Sequence, residues 1–454
     1  MRKKIVFSLL ILFFLLNTTV LAHELPLQAY AAILVEQTTG QVLYARNAHI
    51  PMYPASTTKM LTALVAMQHL DMDTIVVVGP EIRNMPAGFA TNLHVEGETI
   101  AVEVLLKALL IRSSNEAGRI LALETIRTID NNPNITYAEA KPRFSRLMND
   151  RARALGALNT NFNNPYGLHS EFHVTTAYDL AIIGRAFMAE PTLAEISAMP
   201  GFVGDSLGGR SFANANVRDY SWTNTNQMLL GAPFFHPYVT GGRTGFTTPA
   251  GHCFVGGAYH NGLGLVAVVL YSQEPDRWAD TRMLLDYGFF NYAFTTVATD
   301  GMLLKTVEIQ NPRLGDPYHL DIHLYGGQTA LLNRAQDITH EIIFDPIFLY
   351  PYMADTLRGP IEEGDAVGTV VFSAGGETIF TAPAVAARAV YERTFDSDMD
   401  YYMSMILDNI FTRRALPYWI AFVGTVLGFV GIALAISQRR RAKREANWHP
   451  TRRR

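Results

Sequence analysis

The chain has 454 residues, of which 49% are hydrophobic and 17% charged, so it can form more than one domain with a hydrophobic core. Its net charge of −4 understates the acidity of the central body, because eleven of the 37 Lys and Arg residues lie at the two ends. An acidic body argues against nucleic acid as a partner, and the single cysteine, Cys253, excludes an internal disulfide.

The first 22 residues have the layout of a secretory signal peptide. A basic start, MRKK, is followed by the apolar run IVFSLLILFFLL and then by small residues at Val20 and Ala22, which predicts cleavage after Ala22. An uncleaved N-terminal anchor is the alternative, although the apolar run is shorter than the ~20 residues that a spanning helix usually needs. Both interpretations place the body of the chain outside the cytoplasm.

A strand pair and a helix are predicted next. Residues 29–45 contain two apolar runs around TTGQ, which is typical of a hairpin, and apolar residues then recur at helical spacing over 56–70. Ser56 can cap this helix, or it can be a nucleophile whose base, Lys59, lies one turn away on the same face. A lysine with a depressed pKa can deprotonate a serine, but S-x-x-K is also common by chance, so this spacing alone leaves both interpretations open.

Two further polar clusters follow in chain order. The segment 101–125 has two apolar helical runs interrupted by RSSNE, so Ser113 and Asn115 are expected at a corner that faces a cleft. After a mainly helical region come the strand-like runs VTGGRTGF, HCFVGGAY and LGLVAVVLY and a final helix near 275–292; the first run carries Arg243. This order predicts an α/β (α+β) layered domain with a mostly antiparallel sheet, in which LGLVAVVLY is buried on both faces.

The composition changes in the C-terminal third. Short strand-like runs separated by Gly, Pro, Asn and Asp predict a small all-β domain over 297–392. A helix within 393–415 is amphipathic and is expected either to lie on a membrane surface or to pack against the β-domain. Residues 416–436 carry no charge and are long enough to cross a bilayer of about 30 Å. The basic segment 437–454 predicts a cytoplasmic tail near anionic lipid and hence a single-pass membrane protein with an extracytoplasmic body.

Three motifs occur in the order S-x-x-K, S-x-N and Arg-Thr-Gly, which is the arrangement of penicillin-binding proteins and class A β-lactamases. The sequence resembles the D-alanyl-D-alanine carboxypeptidases among the low-molecular-mass penicillin-binding proteins, serine peptidase family S11. The similarity covers roughly residues 29–392, through the segments AAILVEQTTGQVLYARNAH, YPASTTKMLTALV, RSSNEAG, NPYGLHSEFHVTTAYDLAII, NTNQMLL, TGGRTGFTTPAGHC and IEEGDAVGTVVF. It implies a β-lactamase/transpeptidase-like catalytic domain over 23–296 that removes the terminal D-alanine from peptidoglycan stem pentapeptides.

The resemblance also implies roles for single residues. Ser56 would form an acyl-enzyme, Lys59 would be its general base, and Ser113 would relay a proton toward the leaving amine. The implied substrate-binding residues are Asn115, Arg243, Thr244, Gly245 and Phe246. The backbone N–H groups of Ser56 and Phe246 would form the oxyanion hole.

The implied partners are a pentapeptide ending in two D-alanines, β-lactams as covalent inhibitors, and the membrane through the C-terminal helix. No cofactor and no metal ion are expected. His169 and His173 have the spacing of a metal-binding pair, but the glycine and asparagine residues around them favour a loop.

The third motif departs from the family pattern, which usually has Lys-Thr-Gly. Arg243 keeps the positive charge but cannot give up a proton, which puts a role in proton transfer and ordinary β-lactam sensitivity in question. Glu116 stands where Asp is common in the family, a difference that we expect to matter little. Two alternative functions remain open: a catalytically impaired scaffold that binds peptidoglycan in morphogenesis, and a β-lactamase, whose deacylating glutamate the sequence does not place.

Overall fold

The computed structural model describes residues 24–446, except 84, 87, 88, 352, 354, 411 and 413–415. The predicted signal peptide, residues 1–22, and the last part of the basic tail, residues 447–454, lie outside the described residues. The chain divides into two compact units, of which the first ends at Phe294 and the second begins at Thr295.

The first unit combines strands and helices. Its strands are β1 (Ala31–Glu36), β2 (Val42–Arg46), β3 (Ile75–Val77), β4 (Thr99–Ala101), β5 (Gly201–Asp205), β6 (Asp219–Thr223), β7 (Val239–Thr247), β8 (Gly251–His260) and β9 (Leu263–Ser272). Its helices are α1 (Lys59–Met67), α2 (Val102–Lys107), α3 (Asn115–Asp130), α4 (Tyr137–Leu155), α5 (Ala177–Met188), α6 (Pro191–Ala198) and α7 (Asp276–Asn291).

A five-stranded antiparallel sheet in the order β2-β1-β9-β8-β7 forms the middle of this unit. Helices cover both of its faces. A Cβ atom on Gly184 of α5 would lie 3.1 Å from the side chain of Val266, and one on Gly288 of α7 would lie 2.7 Å from that of Leu265. Since neighbouring residues of a strand point to opposite faces, α5 and α7 lie on opposite sides of β9. The layered α/β fold and the strand buried on both faces, as predicted, are confirmed.

Helix α1 is the central helix of the layer on one side of the sheet. Every residue from Lys59 to Ala66 is buried, and α3, α4 and α5 pack around the helix. A tight turn, Ala55–Thr58, leads into α1. The Ser56 side chain makes no capping hydrogen bond there; instead, the hydroxyls of Thr57 and Thr58 donate to the carbonyls of Pro54 and Ala55, both at 2.8 Å. The side chain of Ser56 is therefore not occupied in starting the helix.

The second unit begins with β-structure. Its strands are β10 (Tyr292–Ala298), which starts before the boundary, β11 (Leu303–Gln310), β12 (His319–Leu324), β13 (Gln328–Asn333), β14 (Ile338–Phe344), β15 (Thr356–Arg358), β16 (Ala366–Ala374) and β17 (Glu377–Ala386). Six of them form a sheet in the order β14-β16-β17-β12-β11-β15, and β10 pairs with β13. The strands thus occupy the region where the sequence predicts a small all-β domain.

Two helices end the described chain, α8 (Phe395–Ile410) and α9 (Leu416–Ala446). No residue of α8 is buried. Within the described ranges, α9 is the one helix that is long and apolar enough to cross a membrane. It does not end with the apolar run at residue 436 but continues through the first part of the basic segment.

Candidate active site

Lys59 and Ser56 are in direct contact at the start of α1. The Lys59 Nζ atom lies 2.9 Å from Ser56 Oγ, 2.7 Å from Asn115 Oδ1 and 2.7 Å from the carbonyl oxygen of Tyr166. The lysine is completely buried. Of the residues predicted from the sequence, Ser56, Lys59 and Asn115 are therefore joined by hydrogen bonds.

The surroundings of Lys59 favour its neutral form. Burial lowers the pKa of its amine, the positive charge of Arg243 lowers it further, and the negative charge of Glu116 opposes both effects. The result is a pKa well below the ordinary lysine value of 10.5. A lysine with a depressed pKa can take a proton from a hydroxyl at neutral pH.

The second motif lies at a sharp corner between α2 and α3. A wide helical turn over Ala108–Arg112 ends at Ser113, which has a left-handed backbone conformation with φ +66°. Ser114 caps α3 by accepting from the N–H of Ala117 at 3.1 Å. This geometry brings Asn115 to Lys59, whereas the half-buried Ser113 side chain has no hydrogen bond to any described residue.

The backbone of β7 packs closely against the turn that carries Ser56. A Cβ atom on Gly245 would lie 3.1 Å from the backbone N of Ser56 and 2.9 Å from the carbonyl oxygen of Pro54, so only glycine fits there without displacing the turn. The next residue, Phe246, has a side chain that is 55% exposed and lies against His252 with 4.4 Å between ring centroids.

Arg243 is buried beneath the site. Its Nη1 atom donates to the carbonyl of Leu110 and to Thr225 Oγ1, both at 2.9 Å. Its Nε and Nη2 atoms are closed to solvent and have no partner among the described residues. Burial, with the nearby charge of Arg277, lowers the pKa of Arg243 to about 9, so the guanidinium is still charged at neutral pH.

Sequence reasoning missed Thr225 and Arg277. The Thr225 hydroxyl accepts from Arg243 and also from Thr244 Oγ1 at 2.9 Å, so it joins two residues of the third motif. Thr225 and Arg277 also share a cavity of about 460 Å³. Arg277 lies in the first turn of α7, where a positive charge opposes the helix dipole, and that unfavourable placement is a signal by which it could have been found.

The loop after α4 also packs against the turn that carries Ser56. Asn164 Oδ1 accepts from the N–H groups of Gly167 and Leu168 at 2.8 and 2.9 Å, which orders the loop that carries the Tyr166 carbonyl. Gly167 has φ +85°, and a Cβ atom on it would lie 1.9 Å from the carbonyl oxygen of Ala55. This loop and the turn that holds Ser56 therefore fix each other.

We expect Gly167→Ala to destabilise the fold by about 1–3 kcal/mol and to slow acylation of Ser56, because strain at positive φ adds to displacement of the turn. Gly156→Ala is the matched control, since Gly156 has φ +97° but open space around its Cβ position. Thermal unfolding and the rate of labelling by fluorescent penicillin measure the two effects. Equal labelling rates in the two variants would contradict the contact with Ala55.

His173 belongs to the same support. Its Nδ1 atom accepts from the N–H of Asn163 at 3.1 Å and its Nε2 atom lies 2.8 Å from the Thr58 hydroxyl. Burial, with smaller effects of His169 and Lys59, lowers the pKa of His173 to about 3, so the ring is neutral. Both of its ring nitrogens are thus engaged in holding the loop and the turn.

Comparison with known proteins gives consistent matches. The family model described as D-alanyl-D-alanine carboxypeptidase matches residues 18–274, more than half of the chain. The carboxypeptidase DacF of Bacillus subtilis is 27% identical over 376 residues, which are 82% of this chain and 87% of the relative. DacC of Escherichia coli is 27% identical over 398 residues, which are 84% of this chain and 90% of the relative.

Solved structures agree on the fold. The carboxypeptidase DacD from Francisella tularensis superimposes with a TM-score of 0.60 at 22% identity, over 81% of this chain and 95% of that one. Penicillin-binding protein 5 from Haemophilus influenzae gives a TM-score of 0.55 at 23% identity, over 81% of this chain and 99% of that one. Together with the match of the family model, these results show that the chain belongs to the D-alanyl-D-alanine carboxypeptidases, the hydrolases of peptidase family S11.

Proposed function

We propose that the protein removes the terminal D-alanine from peptidoglycan stem pentapeptides through an acyl-enzyme on Ser56. The observation that carries the proposal is the set of three atoms around the Lys59 amine. Two of them, the Tyr166 carbonyl oxygen and Asn115 Oδ1, can only accept hydrogen bonds, whereas the Ser56 hydroxyl can also donate. A neutral amine that uses its two N–H groups on the two acceptors therefore directs its lone pair at the Ser56 hydroxyl.

Acylation follows from this arrangement. As Ser56 Oγ attacks the carbonyl carbon between the two D-alanines, its proton passes to Lys59 Nζ. The backbone N–H groups of Ser56 and Phe246 would stabilise the oxyanion, where loss of one donor typically costs about 10²–10³ in rate. The C–N bond then breaks, and the leaving amine takes the proton from Lys59 through Ser113, whose hydroxyl is not engaged by another described residue. Water, deprotonated by the same lysine, hydrolyses the ester and frees Ser56.

The substrate carboxylate would be held on the side of β7. Thr244 and Thr225 offer hydroxyls there, and Arg243 and Arg277 supply two positive charges, one buried beneath the motif and one in the wall of the adjoining cavity. An anionic terminus is attracted by both charges. The contacts of Arg243 favour action through its charge, because its two unpartnered nitrogens are closed to solvent.

We further propose that α9 anchors the protein in the cell membrane with the catalytic unit on the extracytoplasmic face. The support is the uncharged run 416–436 and the Arg and Lys residues that follow it on the same helix. The exposed apolar side chains of α8 suit a membrane surface, which is one of the two placements that the sequence leaves open.

The proposal is tested with the purified full-length chain in detergent. It should release D-alanine from a peptide that ends in two D-alanines, and prior treatment with penicillin should block the release. Intact mass should increase by one penicillin, and peptide mapping should place the adduct on the peptide that contains Ser56.

Other outcomes separate the alternative functions. Absence of D-alanine release with an unmodified Ser56 would indicate the scaffold. Fast release of hydrolysed penicillin, in place of a long-lived adduct, would indicate a β-lactamase.

A further inference from the structure

Glu116 is a buried carboxylate at the start of α3, next to the residue that contacts Lys59. It accepts from the backbone N–H groups of Thr91 and Asn92 at 2.7 and 2.9 Å, from the Thr91 hydroxyl, and from Ser114 Oγ at 3.2 Å. Burial raises the pKa of this carboxyl, but the hydrogen bonds from Thr91 and from the backbone outweigh burial, so the pKa is lowered and the group is charged. A charged carboxylate with several donors is a strong anchor for a loop.

The segment that Glu116 anchors, residues 89–92, holds the Asn115 side chain. Asn115 Nδ2 donates to the carbonyl oxygen of Phe89 at 2.6 Å, two residues before Thr91. A carbonyl oxygen can only accept, so this bond determines which end of the amide is nitrogen and leaves Oδ1 to face Lys59. Without the Phe89 carbonyl, the amide could turn its N–H groups toward the lysine, and the lone pair of Lys59 would no longer be reserved for Ser56.

We propose that Glu116 is a positioning residue for acylation: by fixing Thr91 and Asn92 it holds the Phe89 carbonyl that orients the Asn115 amide toward Lys59. The inference rests on the proposed function, in which Lys59 is the base for Ser56. It also gives a role to a position at which this chain has Glu where Asp is common in the family.

The charge of Glu116 acts on the same lysine. Among the described residues, the charges of Glu116 on α3 and Arg243 on β7 both act on Lys59, and the neutral His173 lies in the loop before α5. Of these, Glu116 favours the protonated amine and Arg243 disfavours it. The acylation rate should rise with pH as Lys59 loses its proton, and we call this part of the pH profile the rising limb. Removing the negative charge of Glu116 should therefore move the rising limb to lower pH, an effect that a purely structural anchor would not produce.

The test compares full-length Glu116→Gln with wild type in penicillin acylation rate as a function of pH. Glutamine keeps the size of the side chain and one oxygen for the N–H groups of Thr91 and Asn92, but it removes the charge and puts an N–H donor where the carboxylate accepts from the Thr91 and Ser114 hydroxyls. We expect the limiting rate constant to fall about tenfold or more and the rising limb to move by roughly one pH unit to lower pH. Glu116→Asp keeps the charge and shortens the reach, so its rate should fall while its limb stays at the wild-type position.

Glu124→Gln is the matched control, because Glu124 lies on the same helix and pairs with Arg127 at 2.7 Å, away from Lys59. Glu124→Gln should change neither the limiting acylation rate constant nor the position of the rising limb. A Glu116→Gln rate within twofold of wild type, or a limb that does not move, would overturn the proposal. Failure of wild type itself to be acylated would instead count against the proposed function, so the two failures are distinguishable.

Discussion

Lys59→Met should lower the rate constant for acylation by penicillin by about 10³–10⁴-fold, at the upper end of what a general base contributes. The amine is the group that can take the Ser56 proton, at 2.9 Å, and methionine fills a similar volume without a basic atom. In wild type, the rate should rise with pH and level off well below pH 10.5, because burial and Arg243 lower the pKa of this lysine. The variant should lack that rising limb.

Lys107→Met is the control for Lys59→Met. Lys107 is also a largely buried lysine, with 11% of its side chain exposed, but it pairs with Glu103 on α2. Its removal should leave acylation unchanged. Circular dichroism during thermal unfolding checks that both variants are folded, and a folded Lys59→Met protein that still acylates at the wild-type rate would contradict the role of the lysine.

The sequence is sufficient for those parts of the site that depend on local geometry. Ser56 and Lys59 are one helical turn apart, so their contact follows from spacing, and the polar corner at Ser113 follows from the break between two apolar runs. The layered fold could be predicted for a similar reason, since the continuous apolar run of β9 requires cover on both faces.

Contacts made by the backbone could not be predicted in this way. The carbonyls of Tyr166 and Phe89 complete the surroundings of Lys59 and Asn115, yet a carbonyl is present at every position and leaves no mark in the residue pattern. The same holds for Thr225, which gains its place only because the loop before β7 folds back on Arg243. Tertiary packing, not local sequence, decides these contacts.

The burial of Arg243 is a third feature that the sequence does not indicate. A basic residue in the third motif is expected to contact the substrate. Arg243, however, is only 1% exposed and lies under the site. From this buried position its positive charge lowers the pKa of Lys59.

Arg243→Met should lower the acylation rate constant at pH 7 by about a hundredfold, because the variant loses attraction for the substrate carboxylate and the pKa of Lys59 rises. Its rising limb should move to higher pH, opposite to that of Glu116→Gln. Arg243→Lys keeps the charge and can still donate to the Leu110 carbonyl and Thr225, so its rate should stay within about tenfold of wild type.

Arg243→Met should lower activity without lowering thermal stability. Two buried nitrogens of Arg243 have no partner among the described residues, so removing the charged group relieves a desolvation cost, and we expect Arg243→Met to melt at or above the wild-type temperature. Arg185→Met is the control with the reverse pattern, because Arg185 donates to the carbonyls of Gln37 and Thr38 at 2.8 and 2.7 Å, far along the chain from the three motifs. It should lose stability and keep its acylation rate.

The two charges that act on Lys59 can then be tested together. If Glu116 and Arg243 shift the lysine pKa in opposite directions through their charges, the double variant Glu116→Gln/Arg243→Met should have a rising limb near the wild-type position, while its rate stays low. A limb in the double variant that lies beyond that of either single variant would contradict this opposition. If the rising limb returns to its wild-type position while the rate stays low, the effect of the two charges on the pKa of Lys59 is separate from their proposed roles in binding substrate and orienting Asn115.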